Sequence, residues 1–235
     1  MMEWSPQQAM EAYLNTLELS KLLNHQGGGM GRSKLVEPEC MELISALAAG
    51  NRAKLMVEVT SGGPTPFTVA LAVAAKQTGG RVVCILPPSS AHHAEELIPD
   101  EGLRGAIEFV EGNPGEVIKN YKGVELMVVD AAVGDGGQME VWENVEVNPR
   151  GCVVVATNVE GGNRVWFGEM LKKGKMSGVV KCVTLPIGNG VELTKIRCLG
   201  EGKKTQRFKR FHVTFENYWQ CDEFDQKGVR TMGRV

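Results

Sequence analysis

The chain has 235 residues, of which 43% are hydrophobic and 23% are charged, and this composition excludes a disordered tail or a collagen-like repeat. The formal net charge is −2, but residues 195–235 contain ten basic and five acidic residues, so this segment carries +5 and the first 194 residues carry −7. We therefore expect a soluble globular protein with a basic C-terminal segment.

Two helices are predicted before the first strand. Ser5 and Gln8 resemble the ends of a capping box with proline at the first helical position, and apolar residues at helical spacing continue to His25. Glycines at 27–31 then predict a loop, either a lid or a plain connector. A second amphipathic helix is expected over residues 38–50, where a glycine ends it.

The pattern then changes to short, nearly continuous apolar runs, which are typical of strands covered on both faces. These runs are residues 55–59, 81–86, 107–110, 126–130 and 152–157. Between them, residues 67–77, 114–121 and 138–145 are able to form helices. This alternation predicts right-handed crossovers and a parallel sheet with helices on both faces.

The end of the pattern differs, because residues 179–186 and 191–199 are separated by only four residues. So short a link requires an antiparallel hairpin. The predicted fold is thus an α/β, Rossmann-like, doubly wound and mainly parallel seven-stranded sheet with an antiparallel terminal hairpin and N-terminal helices. We expect one domain over residues 1–235, made of helices (1–50), a Rossmann-like core (51–200) and a basic extension (201–235).

The cysteines and the N-terminus indicate a cellular compartment. The cysteines are Cys40, Cys84, Cys152, Cys182, Cys198 and Cys221, with no CxxC pair and no Cys/His cluster at zinc spacing. Several lie in apolar runs as free thiols, which favours a reducing compartment. Residues 1–20 contain three glutamates and no continuous apolar stretch, so neither a signal peptide nor a membrane span is expected. The predicted location is cytoplasmic, with the nucleus as an alternative.

Ligands of open parallel sheets bind beyond the carboxyl ends of the strands, so the residues there are the candidate site. After the first strand come Glu58, Thr60, Ser61, Gly62 and Gly63. The glycines allow a tight turn and a close approach of a ligand to the backbone. A plain strand-to-helix turn explains these glycines as well. Because a G-x-G-x-x-G dinucleotide fingerprint is absent, a nicotinamide-dependent enzyme is the least favoured of the three functions considered.

The second strand ends in Pro87 and Pro88, where nucleoside sites often place an acidic residue that holds the ribose hydroxyls. His92 and His93 follow, either as a base or ligand contact or as solvated surface residues.

The carboxylate of Asp130 directly follows an apolar run, where it can bind a metal, a hydroxyl or an ammonium group, or cap a turn. The next strand ends in Thr157 and Asn158, so these polar groups are expected at the same edge.

This order of signals resembles the class I S-adenosylmethionine-dependent methyltransferase fold, and more narrowly its caffeoyl-CoA and catechol O-methyltransferase branch. The similar segments, between about residues 38 and 197, are 51–59, 111–118, 128–131, 150–162 and 185–191. The whole chain, including its Trp4-Ser-Pro start and glycine-rich loop, resembles a plant family of uncharacterised proteins grouped with that superfamily.

The resemblance implies a site for S-adenosylmethionine. The cofactor's methionine end would lie near Glu58, Thr60, Ser61, Gly62 and Gly63, and its adenine near Gly112 and Asn113. Asp130 would face both the cofactor and the acceptor, and the implied catalytic residues are Asp130, Thr157 and Asn158.

The chain also departs from the family it resembles. Thr157 stands where the resembled enzymes have a second metal-binding aspartate, while Asp130 and Asn158 remain. A divalent metal is therefore not expected, because Mg²⁺ depends strongly on carboxylate oxygens. Thr60 replaces the first turn glycine, and its Cβ narrows the approach of the cofactor.

Two hypotheses follow. The first is a methyltransferase with a small-molecule acceptor that the sequence does not identify, metal-independent or weakly metal-dependent. The second is a catalytically degenerate binding or regulatory protein of the same fold. A homo-oligomer is a further expectation, and no membrane partner is expected.

One surface could serve the second hypothesis. Lys203, Lys204, Arg207, Lys209 and Arg210 form a basic run interleaved with phenylalanines. Such a run is typical of a nucleic-acid or partner surface, and also of the polar face of a terminal strand or loop whose phenylalanines return to the core.

Overall fold

The structure is a computed structural model that describes residues 4–25, 38–90, 94–98, 100–159, 178–187 and 189–198. All of these residues fall within one compact unit, Met1–Gly202. The glycine-rich loop, the histidines at 92 and 93, and the basic run at 203–210 lie outside the described residues. The single-domain organisation of the whole chain stays a prediction.

The two N-terminal helices are confirmed as α1 (Pro6–His25) and α2 (Pro38–Gly50). The backbone N–H of Gln8 lies 3.5 Å from the Ser5 hydroxyl, which is half of the predicted capping box. The other half is not formed, because the Ser5 N–H donates to the Gly50 carbonyl at 2.8 Å. The Gln8 side chain donates instead to the Gln77 carbonyl at 3.2 Å, so both groups tie α1 to its neighbours.

The strands alternate with short and long helices along the chain. The strands are β1 (Leu55–Val59), β2 (Arg81–Leu86), β3 (Ile107–Glu111), β4 (Lys122–Val124), β5 (Leu126–Asp130), β6 (Glu146–Val147), β7 (Cys152–Thr157), β8 (Gly178–Leu185) and β9 (Val191–Cys198). The helices after α2 are α3 (Pro66–Thr78), α4 (Glu101–Arg104), α5 (Pro114–Val117) and α6 (Asp135–Asn144), with 3-10 turns at Glu95–Leu97, Ile118–Asn120 and Ala131–Val133.

Seven of the described strands form one sheet in the order β3-β2-β1-β5-β7-β9-β8. Within this sheet, β3, β2, β1, β5 and β7 are parallel to one another. β9 runs antiparallel to both β7 and β8. The predicted fold class is therefore confirmed, including the antiparallel terminal hairpin. The chain moves outward from β1 to β3 and then returns to β5, so β1 and β5 flank the point where ligands bind in such sheets.

Helices cover both faces of the sheet. α1, α2 and α3 pack on one face, around Met56, Val82 and Val128. α5 and α6 pack on the other face, around Val57 and Met127. Every residue of β1 and β7 is buried, as continuous apolar runs predict.

Two features of the sheets differ from the prediction. β3 is only partly buried because it is an edge strand, although its apolar run suggested cover on both faces. A separate two-stranded parallel sheet, β4 with β6, was not predicted. Its strands of three and two residues are too short to produce a periodic signal.

The buried carboxylate of Glu125 joins three strands at the amino edge of the sheet. Its side chain is 3% exposed and accepts hydrogen bonds from the Lys54 N–H at 2.5 Å, the Asn148 amide at 3.1 Å and the Arg150 guanidinium at 3.2 Å. These bonds tie the start of β1 and the start of β7 to β5. Among the described residues, no helix is long and apolar enough to cross a membrane.

Gly80 lies where the turn after α3 passes the backbone that leads into β1. A Cβ there would come within 2.7 Å of the Lys54 carbonyl oxygen and 2.8 Å of the Ala53 carbonyl oxygen. These neighbours are backbone atoms and cannot move aside as a flexible side chain would.

We expect Gly80→Ala to lower the free energy of unfolding by about 1–3 kcal/mol, because the extra methyl group overpacks two chain segments. Gly105→Ala is the matched control, since nothing lies within 4 Å of its added Cβ, and it should change stability by less than about 0.5 kcal/mol. Urea unfolding of both variants measures the difference. Equal stabilities would contradict the close approach at Gly80.

Candidate active site

A cleft of about 440 Å³ opens at the carboxyl ends of β1, β2, β3 and β5. Its described lining consists of Thr60, Ser61, Ile85, Leu86, Pro87, Pro88, Gly112, Asn113, Pro114, Ala132, Val133 and Gly137. Each of these residues is uncharged. The volume lies in the range of small-molecule and cofactor sites, and four sequence-predicted residues line it: Thr60, Ser61, Gly112 and Asn113.

Apolar surfaces flank the end of β1 within this cleft. Pro87 and Pro88 follow β2, while Ala132 and Val133 follow β5. Because β2 and β5 lie on opposite sides of β1 in the sheet, these surfaces stand on either side of the turn that follows β1. The arrangement suits a flat, largely apolar ring.

The turn after β1 leaves space beside its backbone. The Thr60 hydroxyl donates to the Gly62 carbonyl at 2.7 Å, which holds the turn closed. A Cβ at Gly62 or Gly63 would meet no atom within 4 Å, and neither residue has a positive φ. Neither packing nor backbone conformation within the described chain requires glycine here, so the open space is available to a ligand.

Glu58 does not point into this open space but lies buried beneath α3. Its side chain is 1% exposed and accepts hydrogen bonds from the hydroxyls of Thr65 and Thr68, each at 2.5 Å. The same hydroxyls accept backbone N–H groups, from Phe67 at 3.0 Å and from Thr65 at 2.9 Å. The carboxylate therefore anchors the capping box of α3 to β1, and so positions the turn between them.

Burial raises the pKa of Glu58 from 4.5 to about 7, against the lowering effect of the hydrogen bonds from Thr65, Thr68 and Cys84. The nearby negative charge of Asp130 raises it further. Burial, and then the charge of Glu58, also raise the pKa of the Cys84 thiol well above its ordinary value. This buried carboxyl is thus protonated in part of the molecules near neutral pH.

Asp130 lies at the end of β5, next to the cleft. One carboxylate oxygen accepts the Ser61 hydroxyl at 2.5 Å. The other accepts the Ala132 N–H and the Asn158 amide, both at 2.9 Å. Asp130 caps the 3-10 turn that follows it, as one of the predicted roles requires, and it also contacts the cleft residue Ser61.

No ion pair joins Asp130 to a lysine, arginine or histidine in the part of the chain that the structure describes. The side chain is half-buried. Among the described residues its charge is therefore stabilised by neutral hydrogen-bond donors and not by a cation, beside a cleft whose described lining carries no charge.

Thr157 and Asn158 are the two polar residues predicted at the end of β7. Of these two, Asn158 hydrogen-bonds to Asp130. Asn158 has a left-handed backbone with φ of 59°, a conformation that asparagine tolerates better than most residues, and its amide nitrogen faces Asp130. Its amide oxygen accepts the Asn189 amide at 3.1 Å. Thr157, which pairs in register with Asp130, is 4% exposed.

Sequence reasoning missed Asn189. The signal was present, because Asn189 lies in the short link between β8 and β9, and the antiparallel pairing of β9 with β7 brings Val191 opposite Thr157. The side chains at the end of β7 therefore had to meet this link.

Gly112 and Asn113, the two residues predicted to lie near the adenine, both line the cleft. The Asn113 side chain caps α5 by accepting the Glu116 N–H at 3.2 Å and donates to Glu140 at 3.1 Å. Gly112 has a φ of +148°, so its backbone conformation itself favours glycine. The described residues contain no group of three or more His, Cys, Asp and Glu side chains placed to hold a metal ion.

The raised pKa of Glu58 predicts a stability that depends on pH. The folded state binds a proton more tightly than the unfolded state, so the free energy of unfolding falls as the pH rises from 4.5 through 7. Glu58→Gln removes this titration while it retains a hydrogen-bonding side chain. We expect the wild type to lose on the order of 3 kcal/mol relative to Glu58→Gln across this range.

Denaturant unfolding at several pH values measures this difference. Glu116→Gln is the control, because Glu116 is an exposed glutamate paired with Lys119, and its curve should follow the wild type. Parallel wild-type and Glu58→Gln curves would mean that Glu58 does not titrate in this range.

Comparison with known proteins gives one family and one fold. The model of the family described as "Protein of unknown function (DUF1442)" matches residues 1–223, and comparison with curated proteins yields no match. A methyltransferase from Geobacter sulfurreducens is similar in structure, with 21% identity, a TM-score of 0.57, and coverage of 79% of this chain and 88% of that one.

Two ligand-bound structures are also similar. A methyltransferase from Podospora anserina, bound to S-adenosylhomocysteine, shares 13% identity with a TM-score of 0.55, over 81% of this chain and 88% of that one. An O-methyltransferase from Streptomyces achromogenes, in complex with S-adenosylmethionine, shares 16% identity with a TM-score of 0.52, over 80% and 90%. The chain therefore belongs to the DUF1442 family of proteins of unknown function, and its fold is that of the class I S-adenosylmethionine-dependent methyltransferases.

Proposed function

We propose that the chain is an S-adenosylmethionine-dependent methyltransferase whose methyl donor binds in the cleft beyond β1. One observation carries the proposal: a cleft whose described lining is uncharged lies at the switch point of the sheet and ends beside Asp130, a carboxylate without a cationic partner among the described residues. The donor has matching parts, a flat adenine ring and a positively charged sulfonium and ammonium.

The residues present fit two parts of this ligand. The apolar surfaces that follow β2 and β5 suit the ring, and the open space beside Gly62 and Gly63 leaves room for the donor to approach the backbone. No carboxylate follows β2 to accept hydrogen bonds from the ribose hydroxyls, because Pro87 and Pro88 occupy that position. A missing charge-assisted hydrogen bond costs about 1.5–3 kcal/mol, so we expect affinity in the micromolar range or weaker.

The donor supplies a methyl group on a positively charged sulfur. The chain's own residues contribute position and electrostatics: Asp130 attracts the cation, and Ser61 and Asn158 hold its carboxylate in place. Positioning of two reactants supplies much of the rate enhancement in a direct group transfer. Glu58 contributes indirectly, since it fixes the turn from which Ser61 projects.

We infer further that the reaction needs no tightly bound divalent metal. Asp130 offers one carboxylate, while Asn158 directs its amide nitrogen at Asp130 and its oxygen toward Asn189. Thr157 adds a neutral, buried hydroxyl. Mg²⁺ prefers several oxygen ligands that include carboxylates, and this donor set matches that preference poorly.

A second candidate is a binding or regulatory protein that retains the fold without the reaction. Glu58 favours it, because both carboxylate oxygens are committed to α3. The missing acidic partner after β2 favours it too. In this version the cleft binds another ligand, or the basic run at 203–210 binds a partner or nucleic acid.

Four more specific statements are part of this proposal. They are the special likeness to the caffeoyl-CoA and catechol O-methyltransferase branch, a plant origin, a cytoplasmic location and a homo-oligomeric state. The sequence patterns described above support the first three, whereas the homo-oligomeric state is an expectation that no sequence pattern carries.

Calorimetric titration with S-adenosylmethionine and S-adenosylhomocysteine, with and without Mg²⁺, tests the proposal. We expect binding of S-adenosylmethionine that Asp130→Asn weakens about tenfold to a hundredfold, because one charge-assisted contact is worth about 1.5–3 kcal/mol. Asn retains the oxygen that caps the following turn.

Asp100→Asn is the matched control, since Asp100 also caps a helix through its side chain and should leave affinity unchanged. Added Mg²⁺ should alter affinity by less than twofold. No heat and no thermal shift at millimolar ligand would reject the methyltransferase and favour the binding protein.

A further inference from the structure

We propose that the methyl acceptor is an uncharged amine nitrogen and not a phenol or alcohol oxygen. This inference rests on the proposed methyltransferase function. It follows from the charge distribution around Asp130, where the reacting methyl group would lie.

The described side chains that hydrogen-bond to Asp130, those of Ser61 and Asn158, are neutral. Asn158 and Asn189 form a chain of amides that runs from Asp130 to the β8–β9 link, and Thr157 is buried behind them. Asp130 itself has no ion pair within the described ranges. Among these described groups, the carboxylate of Asp130 is the one that carries a charge.

An oxygen acceptor is poorly served by this arrangement. A phenol has a pKa of about 10 and must lose its proton to become a strong nucleophile. The resulting oxyanion would lie beside the carboxylate of Asp130, and a neighbouring like charge raises the pKa of the acceptor further. Stabilising an oxyanion requires cations or converging hydrogen-bond donors, whereas Asp130 presents acceptor oxygens.

An amine acceptor needs the opposite environment. The lone pair of the uncharged nitrogen attacks the methyl carbon, a carbon–nitrogen bond forms, and the carbon–sulfur bond breaks with its electron pair left on sulfur. The positive charge thus moves from sulfur to nitrogen, and the methylated ammonium then releases a proton to water. No oxidant, reductant or metal enters this balance.

The carboxylate of Asp130 faces a positive charge at both ends of this transfer. Before the reaction the cation is the sulfonium, and after it the cation is the new ammonium. A fixed negative charge beside both positions costs no reorganisation during the step. The N–H groups of the amine could also donate to the remaining lone pairs of the Asp130 carboxylate.

Matched acceptor pairs test the inference. Aniline and phenol share a ring and differ in the reacting atom, as do benzylamine and benzyl alcohol. Each compound is incubated with the full chain and methyl-labelled S-adenosylmethionine, after calorimetry has measured donor binding. Aniline is uncharged at neutral pH, so its comparison with phenol is free of amine protonation.

We expect the amine of each pair to be methylated at least tenfold faster than its hydroxyl partner. Methylation of benzylamine should rise with pH as the free amine becomes more abundant. Asp130→Asn should lower kcat on the amines at saturating donor, while Asp100→Asn should not.

Equal or faster methylation of phenol or benzyl alcohol would overturn the inference. So would the absence of methylation of every compound by protein that binds the donor. If the donor itself does not bind, the proposed function fails first, and the calorimetry separates that result from failure of the amine assignment.

Discussion

The site depends on one buried carboxylate that joins the first strand to the helix after it. Glu58 accepts hydrogen bonds from the hydroxyls of Thr65 and Thr68. These hydroxyls in turn accept the backbone N–H groups of Phe67, in the first turn of α3, and of the N-cap residue Thr65. Removing this acceptor would leave buried donors unpaired, and such groups are costly. The network fixes the direction in which the chain leaves β1, and therefore the position of Ser61 relative to Asp130.

The two acidic residues at this edge have different tasks because their surroundings differ. Glu58 is fully enclosed, which raises its pKa to about 7, and its oxygens are used within the protein. Asp130 is half-buried, and neutral donors hold it next to an uncharged cleft. A carboxylate at the mouth of a cleft, with no cationic partner among the described residues, attracts cations. This attraction is the basis on which we propose both the methyl donor and the amine acceptor.

Much of the fold could be predicted from the sequence, while side-chain contacts could not. Four strands, at 55–59, 81–86, 126–130 and 152–157, have the predicted bounds, because these short apolar runs end abruptly at glycine, proline or polar residues. β3 is partly exposed because it lies at the edge of the sheet. The pairing of β4 with β6 involves too few residues to produce a periodic hydrophobic pattern in the sequence. Likewise the sequence predicted polar groups at one edge of the sheet, but not that Asn189 completes their network.

The sequence by itself determined the layers of the fold and the edge at which ligands bind, because hydrophobic periodicity and the direction of parallel strands are local properties. Only the tertiary structure decided which predicted residues face the cleft. Glu58 alternates onto the face covered by α3 and is used there, whereas Asp130 at the end of β5 meets Ser61 and Asn158 from neighbouring strands. These contacts depend on distances between segments far apart in the chain, and such distances exist only once the sheet is assembled.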